Sequence, residues 1–152
     1  MSYPDPFDAA QVDAVIDRIH RLGASTPPQW GKMSSAQAMA HLCVAYEMVY
    51  TNTHAKPSVF VRLLLRLVAK RGVVGPKPYP KNTVTAPQFR ITDARDFFVE
   101  RDRLIDYVRR VQADGREEFE GRESPSFGAL TADEWAVLFG KHLDHHLRQF
   151  GV

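Results

Sequence analysis

Cysteine is nearly absent from this chain, since Cys43 is the single cysteine among 152 residues. An internal disulfide is therefore excluded, and there is no CxxC motif of the kind found in redox or thiolate-metal sites. Cys43 lies in a strongly helical segment, where we expect a small, buried, apolar side chain. The fold must then be held by its apolar core, and this length is sufficient for one domain covering residues 1–152.

Long apolar runs and a strong net charge are missing as well. No stretch approaches the ~18 uninterrupted apolar residues of a membrane span, and MSYPDPFDAA lacks the basic start and apolar run of a signal peptide. The formal net charge of +2 is too small to argue for nucleic-acid binding. We therefore expect a cytoplasmic protein that has neither a membrane nor a nucleic acid as its partner.

Apolar residues recur at helical spacing in four long segments, and no convincing strand is present. The segments cover about residues 7–22, 34–50, 93–112 and 131–149. Ser34 and Gln37 have the spacing of a capping box at the start of the second helix. Thr131 and Glu134 repeat this spacing at the start of the last helix. The pattern predicts a four-helix bundle.

Two further segments lie between the second and third long helices. The run SVFVRLLLRLVAKRG is apolar around most of its circumference, so we expect a short helix that is packed deep or covers one end of the bundle. The stretch from Gly72 to Gln88 contains four prolines, which interrupt helix and favour extended backbone. This long Pro-rich loop is either a wall or lid of a pocket, or a plain connector over the bundle. The complete expectation is an all-α fold with these two additions.

Half of the chain's six histidines lie in the last helix, in the run KHLDHHLRQF. His142 and His146 are four residues apart and thus lie on one face of the helix. His41 falls within the apolar side of the second helix. Because a buried imidazole needs a partner for each ring nitrogen, a shared metal ion would satisfy these rings together. We predict a three-His metal site, and hydrogen-bonded core histidines remain the alternative.

Three neighbouring polar residues are candidates for orienting these rings. Gln37 precedes His41 by one turn, and Gln149 follows His146 by three residues, so either amide can hydrogen-bond to a ligand ring. Capping and surface exposure are their alternative roles. His145 points about 100° away from His146, so we expect it beside the site or exposed to solvent.

The remaining charged and titratable candidates are expected outside the site. We expect His20 and His54 to be structural or solvated. Glu47 and Asp144 face other sides of their helices and are interpreted as surface charges. The sequence therefore identifies no general base.

Two motifs carry a family resemblance. The order MSSAQAMAHL and then HLDHHLRQFGV resembles the DinB/YfiT-like superfamily, and more closely its branch of uncharacterised bacterial proteins. The resemblance covers nearly the whole chain. It implies a four-helix bundle in which one histidine of the second helix and two of the last helix hold a divalent metal. On this chain those residues are His41, His142 and His146.

The resemblance also implies a class of chemistry. The superfamily includes S-transferases that use low-molecular-weight thiols, and a maleylpyruvate isomerase. We therefore expect a metal-dependent enzyme for a small-molecule substrate, either a transferase that activates a thiol or a hydrolase that activates water. Zinc is the first expectation, and nickel, iron and manganese are compatible with imidazole ligands. The alternative is a noncatalytic binding or stress-related bundle with structural histidines. A homodimer is compatible with either function.

Overall fold

Helices make up most of the structure, a computed structural model that describes residues 3–83 and 85–152. Val84 of the predicted Pro-rich loop lies outside the described residues, as do Met1 and Ser2. The helices in the described ranges are α1 (Ala9–His20), α2 (Ser35–Tyr50), α3 (Val59–Val68), α4 (Lys70–Val74), α5 (Phe97–Phe119) and α6 (Ala132–Gln149). A 3₁₀ turn spans Pro87–Phe89, and β1 (Glu123–Ser124) pairs antiparallel with β2 (Gly128–Ala129). The predicted all-α class is confirmed, with a two-residue hairpin as its small exception.

Both predicted capping boxes are present. The Ser34 hydroxyl accepts a hydrogen bond from the Gln37 amide at 3.1 Å, and the Gln37 side chain accepts one from the Ser34 amide at 3.1 Å. Thr131 and Glu134 exchange the same two bonds at the start of α6. These local bonds stabilise the N-terminal ends of α2 and α6, the two helices that carry the clustered histidines. They do so because the first backbone N–H groups of a helix have no acceptor within the helix.

Helix α5 begins later than predicted because the Asp96 side chain accepts hydrogen bonds from the amides of Phe98 and Val99. The predicted stop at Gly115 is present as a break: this residue has φ of 78° and ψ of 171°, a non-helical conformation suited to glycine. A second helical segment follows the break and reaches Phe119, so the range Phe97–Phe119 contains two helical segments joined at a kink.

Helices α1, α2, α5 and α6 enclose the core. Aromatic side chains occupy much of it: Tyr46 stacks on Phe139 with ring centroids 4.6 Å apart, and Trp135 stacks on Phe139 at 5.4 Å. The N-terminal segment crosses α6 at Gly140, where a Cβ atom would lie 2.1 Å from the Pro4 carbonyl oxygen. This close approach requires glycine in the middle of α6 and fixes the segment against the bundle.

Of the two expectations for α3, deep packing or a cover over one end of the bundle, the first is wrong. None of its residues is buried, although Leu65 and the following Ala69 contact the core from outside. The four long helices already fill the core, so an additional apolar helix can only lie on their surface. Neither α3 nor any other helix of the described residues is long and apolar enough to cross a membrane.

The interpretation of Glu47 and Asp144 as surface charges is also wrong, since both residues are only 8% exposed. Glu47 binds His54 at 2.6 Å and Arg103 at 2.7 Å, and Asp144 binds Arg18 at 3.0 Å. Each carboxylate is buried because a basic side chain from another segment compensates its charge. Helical periodicity does not reveal such a partner.

Lys141 attaches the Pro-rich loop to α6. Its side chain is fully buried, and its ammonium group donates to the carbonyl oxygens of Gly72 (2.8 Å), Gly75 (2.6 Å) and Lys77 (3.2 Å). Burial lowers the pKa of Lys141 to about 8, so most of its charge remains at neutral pH. The positive charge lies at the C-terminal end of α4, where helix carbonyls favour a cation.

We predict that Lys141→Met loosens this loop. Three carbonyl oxygens would lose their donor, at a cost of roughly 1–3 kcal/mol in the free energy of unfolding. Hydrogen exchange followed by mass spectrometry should show faster exchange of the amides in residues 72–83. Lys56→Met, at an exposed position, is the matched control and should leave exchange unchanged. Equal protection of residues 72–83 in both variants would contradict the assigned role of Lys141.

Candidate metal centre

Three histidines meet where α2 faces α6. His41 comes from α2, and His142 and His146 come from successive turns of α6. One ring nitrogen from each lies within 4.8 Å of the other two, and the Nε2 atoms of His41 and His142 are 3.0 Å apart. Two nitrogens bound to the same tetrahedral zinc ion would be about 3.3 Å apart. The three histidines can therefore hold a metal ion.

The His41 ring is oriented by the backbone. Its Nδ1 lies 2.8 Å from the carbonyl oxygen of Phe89, in the 3₁₀ turn that ends the Pro-rich loop. A carbonyl only accepts hydrogen bonds, so Nδ1 carries the proton and Nε2 keeps its lone pair. The sequence predicts Gln37 for this role. The structure places the Phe89 carbonyl there.

The His146 ring is oriented by Gln149, as the sequence predicts. The Gln149 side-chain oxygen lies 2.7 Å from His146 Nδ1, and its amide nitrogen donates to the Trp30 carbonyl at 2.8 Å. The Trp30 contact sets the orientation of the amide, which leaves Nε2 of His146 with a free lone pair. Gly31 has φ of 80°, and a Cβ atom there would lie 2.6 Å from the Gln149 amide nitrogen. Glycine is therefore needed beside this bond.

Gln37 and His145 take other positions. The Gln37 amide completes the α2 cap with Ser34 and donates to the Asp93 carbonyl at 3.2 Å. His145 is half-buried, and its ring meets the edge of the His146 ring with centroids 4.9 Å apart. The cluster of three ligand nitrogens does not include either residue.

All three clustered rings are held in the neutral form. Burial lowers the pKa of His41, takes that of His142 well below its usual range, and lowers that of His146 to about 3. The proximity of the other rings lowers the pKa of His142 and His146 further. A metal ligand must be an unprotonated imidazole, so the fold supplies the required protonation state at neutral pH.

A cavity of about 1040 Å³ opens beside the three histidines. Most of its lining is apolar or aromatic, and the predicted Pro-rich loop forms one wall through Pro78, Tyr79 and Pro80. The charged residues among the described lining are Lys32, Lys77 and Arg90, and no carboxylate is present there. All formal charges of the described lining are therefore positive, and they lie beside largely apolar walls.

Several features of the site have no signal in the sequence. The Phe89 carbonyl orients the His41 ring directly, and the Trp30 carbonyl orients the His146 ring through the Gln149 side chain. Every residue has a carbonyl, and only the fold selects these two. Tyr79 places its ring edge against His145 with ring centroids 5.7 Å apart, and no pattern in the sequence singles this residue out. The sequence leaves the Pro-rich loop open as a pocket wall or a plain connector, and the structure places it in the wall of the cavity.

The fold and the site define an all-helical protein with three histidines gathered beside a cavity. Residues 2–151 match the family model described as "Protein of unknown function (DUF1569)", and the chain belongs to that family. No curated protein and no solved structure gave a match to the chain. Membership of the DinB/YfiT-like superfamily stays a prediction.

We predict that the metal-free protein loses stability as the pH falls from 7 to 5. The unfolded histidines take up protons below about pH 6.5, whereas the folded rings, with lowered pKa values, stay neutral. Because the unfolded state binds more protons, stability falls by roughly 1.4 kcal/mol per pH unit for each such ring. Urea unfolding in the presence of a chelator measures this slope. His146→Gln should reduce the slope, and His20→Gln, at an exposed position, should not. An identical slope in the His146 variant would refute the assignment.

We also predict that Gln149→Leu weakens metal binding by roughly 10–100-fold, because the His146 ring loses the acceptor that orients it. The dissociation constant for zinc is measured by competition with a chromophoric chelator. Gln37→Leu is the matched variant and should bind zinc like the original protein, since its amide bonds only to the backbone of α2 and of Asp93. A similar loss of affinity in both variants would count against the described orientation of His146.

Proposed function

We propose that this protein is a metal-dependent enzyme of the DinB/YfiT-like superfamily that acts on a small molecule. His41, His142 and His146 would hold a divalent ion, with zinc as the first expectation and nickel, iron or manganese as alternatives. One observation carries the proposal: two of the rings have their Nδ1 protons assigned to protein acceptors, and their Nε2 lone pairs are available beside the third ring.

The position of the ring cluster supports a catalytic site over a closed structural one. All three histidines line the cavity, so a guest can reach the point between their nitrogens. Structural zinc sites are normally closed by four protein ligands, whereas catalytic sites use three and leave a position open. The cluster within the described ranges consists of three side chains.

The charges of the cavity favour a thiol transferase over a hydrolase. A bound divalent ion would supply Lewis acidity and lower the pKa of a thiol or water. A thiol is already the more acidic nucleophile, with an ordinary pKa of about 8.5, and depends less on a carboxylate base. The described lining has no carboxylate, and Lys32, Lys77 and Arg90 suit an anionic low-molecular-weight thiol. The apolar walls would bind the electrophile and exclude water.

The first test is metal content. Untagged protein purified without chelator is measured by elemental mass spectrometry, together with the variants His41→Ala, His142→Ala and His20→Ala. We expect about one metal ion per chain in the original protein and in the exposed His20 control, and loss of the ion from the other two variants. Protein that contains no metal and takes up none on reconstitution would refute the proposed site.

The same proteins then test the reaction. After loading with zinc, nickel, manganese or iron, each is assayed for conjugation of low-molecular-weight thiols to an aromatic halide and for ester hydrolysis without thiol. We expect thiol-dependent turnover that His142→Ala abolishes and His20→Ala preserves. Turnover of the ester alone would replace the transferase by a hydrolase. Tight metal binding without turnover would instead indicate a noncatalytic bundle with a structural ion.

A further inference from the structure

Helix α3 turns its apolar side towards solvent. Phe60 is 86% exposed, Val59 82% and Leu67 74%. We define the α3 face as the exposed side chains of Val59, Phe60, Leu63, Leu64, Leu67 and Val68. Surface helices normally turn such a face towards the core, and an apolar patch of this kind on a protein surface marks an interaction site.

The polar side of α3 lies beside the β1–β2 hairpin at the protein surface. Arg62 forms an ion pair with Glu123, and the guanidinium groups of Arg62 and Arg66 both lie next to Gly128 of the hairpin. Leu65 and Ala69 form part of the cavity wall on the inner side of the helix. The helix is thus attached to the bundle by its arginines and a few apolar contacts, and this orientation leaves the α3 face outside.

Positive charge is concentrated in the segment of the sequence that contains the α3 face. The sequence from Met48 to Thr92 contains eight lysines and arginines and no aspartate or glutamate, in a chain whose net charge is only +2. The rest of the chain therefore has a net charge of −6. Lys56, Arg66 and Arg71 are exposed close to the face in sequence. A partner that binds the α3 face must therefore offer an apolar surface to the helix and negative charge to the cations beside it.

We propose that the α3 face docks in the headgroup region of an anionic lipid membrane. Amphipathic helices with apolar side chains and flanking Lys and Arg lie in this region, where acyl chains and anionic headgroups complement both features. With ten residues, α3 is too short to span the bilayer and lies in its plane. A symmetric pair of chains on this face would instead place two cationic segments against each other. This proposal differs from the expectation, drawn from the sequence, that the protein does not bind a membrane.

Docking through α3 would place the cavity next to the lipid surface, because the inner side of the same helix lines that cavity. The proposal does not depend on a bound metal or on catalysis. It is therefore tested on binding alone.

Cosedimentation with vesicles provides the test. The full chain is mixed at low salt with vesicles of phosphatidylcholine containing 30% phosphatidylglycerol, or of phosphatidylcholine alone. We expect binding to the anionic vesicles that decreases with added salt and is at least about tenfold weaker without phosphatidylglycerol. The variant Phe60→Ser with Leu67→Ser should lower the partition coefficient by at least about tenfold, because two side chains no longer enter the bilayer.

The matched control is Phe98→Ser with Val99→Ser, which removes two apolar side chains that are 57% and 62% exposed on α5. This variant should bind like the original protein. Circular dichroism verifies that both variants are folded. Absence of binding to the anionic vesicles, or an equal loss in the α5 control, would overturn the proposal. Sedimentation equilibrium would then show whether the α3 face joins two copies of the chain.

Discussion

The enclosure of three imidazole rings between α2 and α6, with His41 and His146 buried and His142 half-buried, is the constraint on which the site depends. Each buried ring nitrogen needs a hydrogen-bond or metal partner. Burial lowers the pKa values of the three histidines, so the rings stay neutral at pH 7 and each keeps one nitrogen with a lone pair. The fold satisfies two Nδ1 atoms through the Phe89 carbonyl and the Gln149 amide. These bonds bring the Pro-rich loop and the loop at Trp30 to the histidines, and both loops then become walls of the cavity.

Helix α6 connects these features because neighbouring residues serve different sides of the structure. Lys141 reaches the carbonyl groups of α4 and the Pro-rich loop, while the next residue, His142, faces the cavity. Asp144 pairs with Arg18 on α1, and His146 returns to the ligand cluster. A rotation of α6 would therefore disturb the loop, the α1 contact and the histidines together. These contacts on several sides of α6 keep His142 and His146 in place without a covalent cross-link.

The distribution of charge separates two functional surfaces. All aspartates and glutamates lie outside residues 48–92, and those that are buried, such as Glu47, are compensated by neighbouring cations. The cavity lining described here has only positive formal charges, and so does the segment that contains α3. The two proposals, an anionic thiol in the cavity and an anionic membrane at the α3 face, thus rest on the same excess of lysine and arginine. The cavity lies on the inner side of α3, and the α3 face lies on its outer side.

The sequence by itself determined the long helices and the pairing of two histidines of the cluster. Capping boxes at Ser34 and Thr131 and apolar periodicity are local signals, and the spacing of His142 and His146 places both on one face whatever the rest of the fold does. Tertiary structure alone decided the partners that are distant in sequence. It selected the Phe89 carbonyl for His41, supplied Arg103 to the buried Glu47, and left α3 on the surface because the core was already filled. These outcomes depend on which groups meet in space, and helical periodicity describes only one helix at a time.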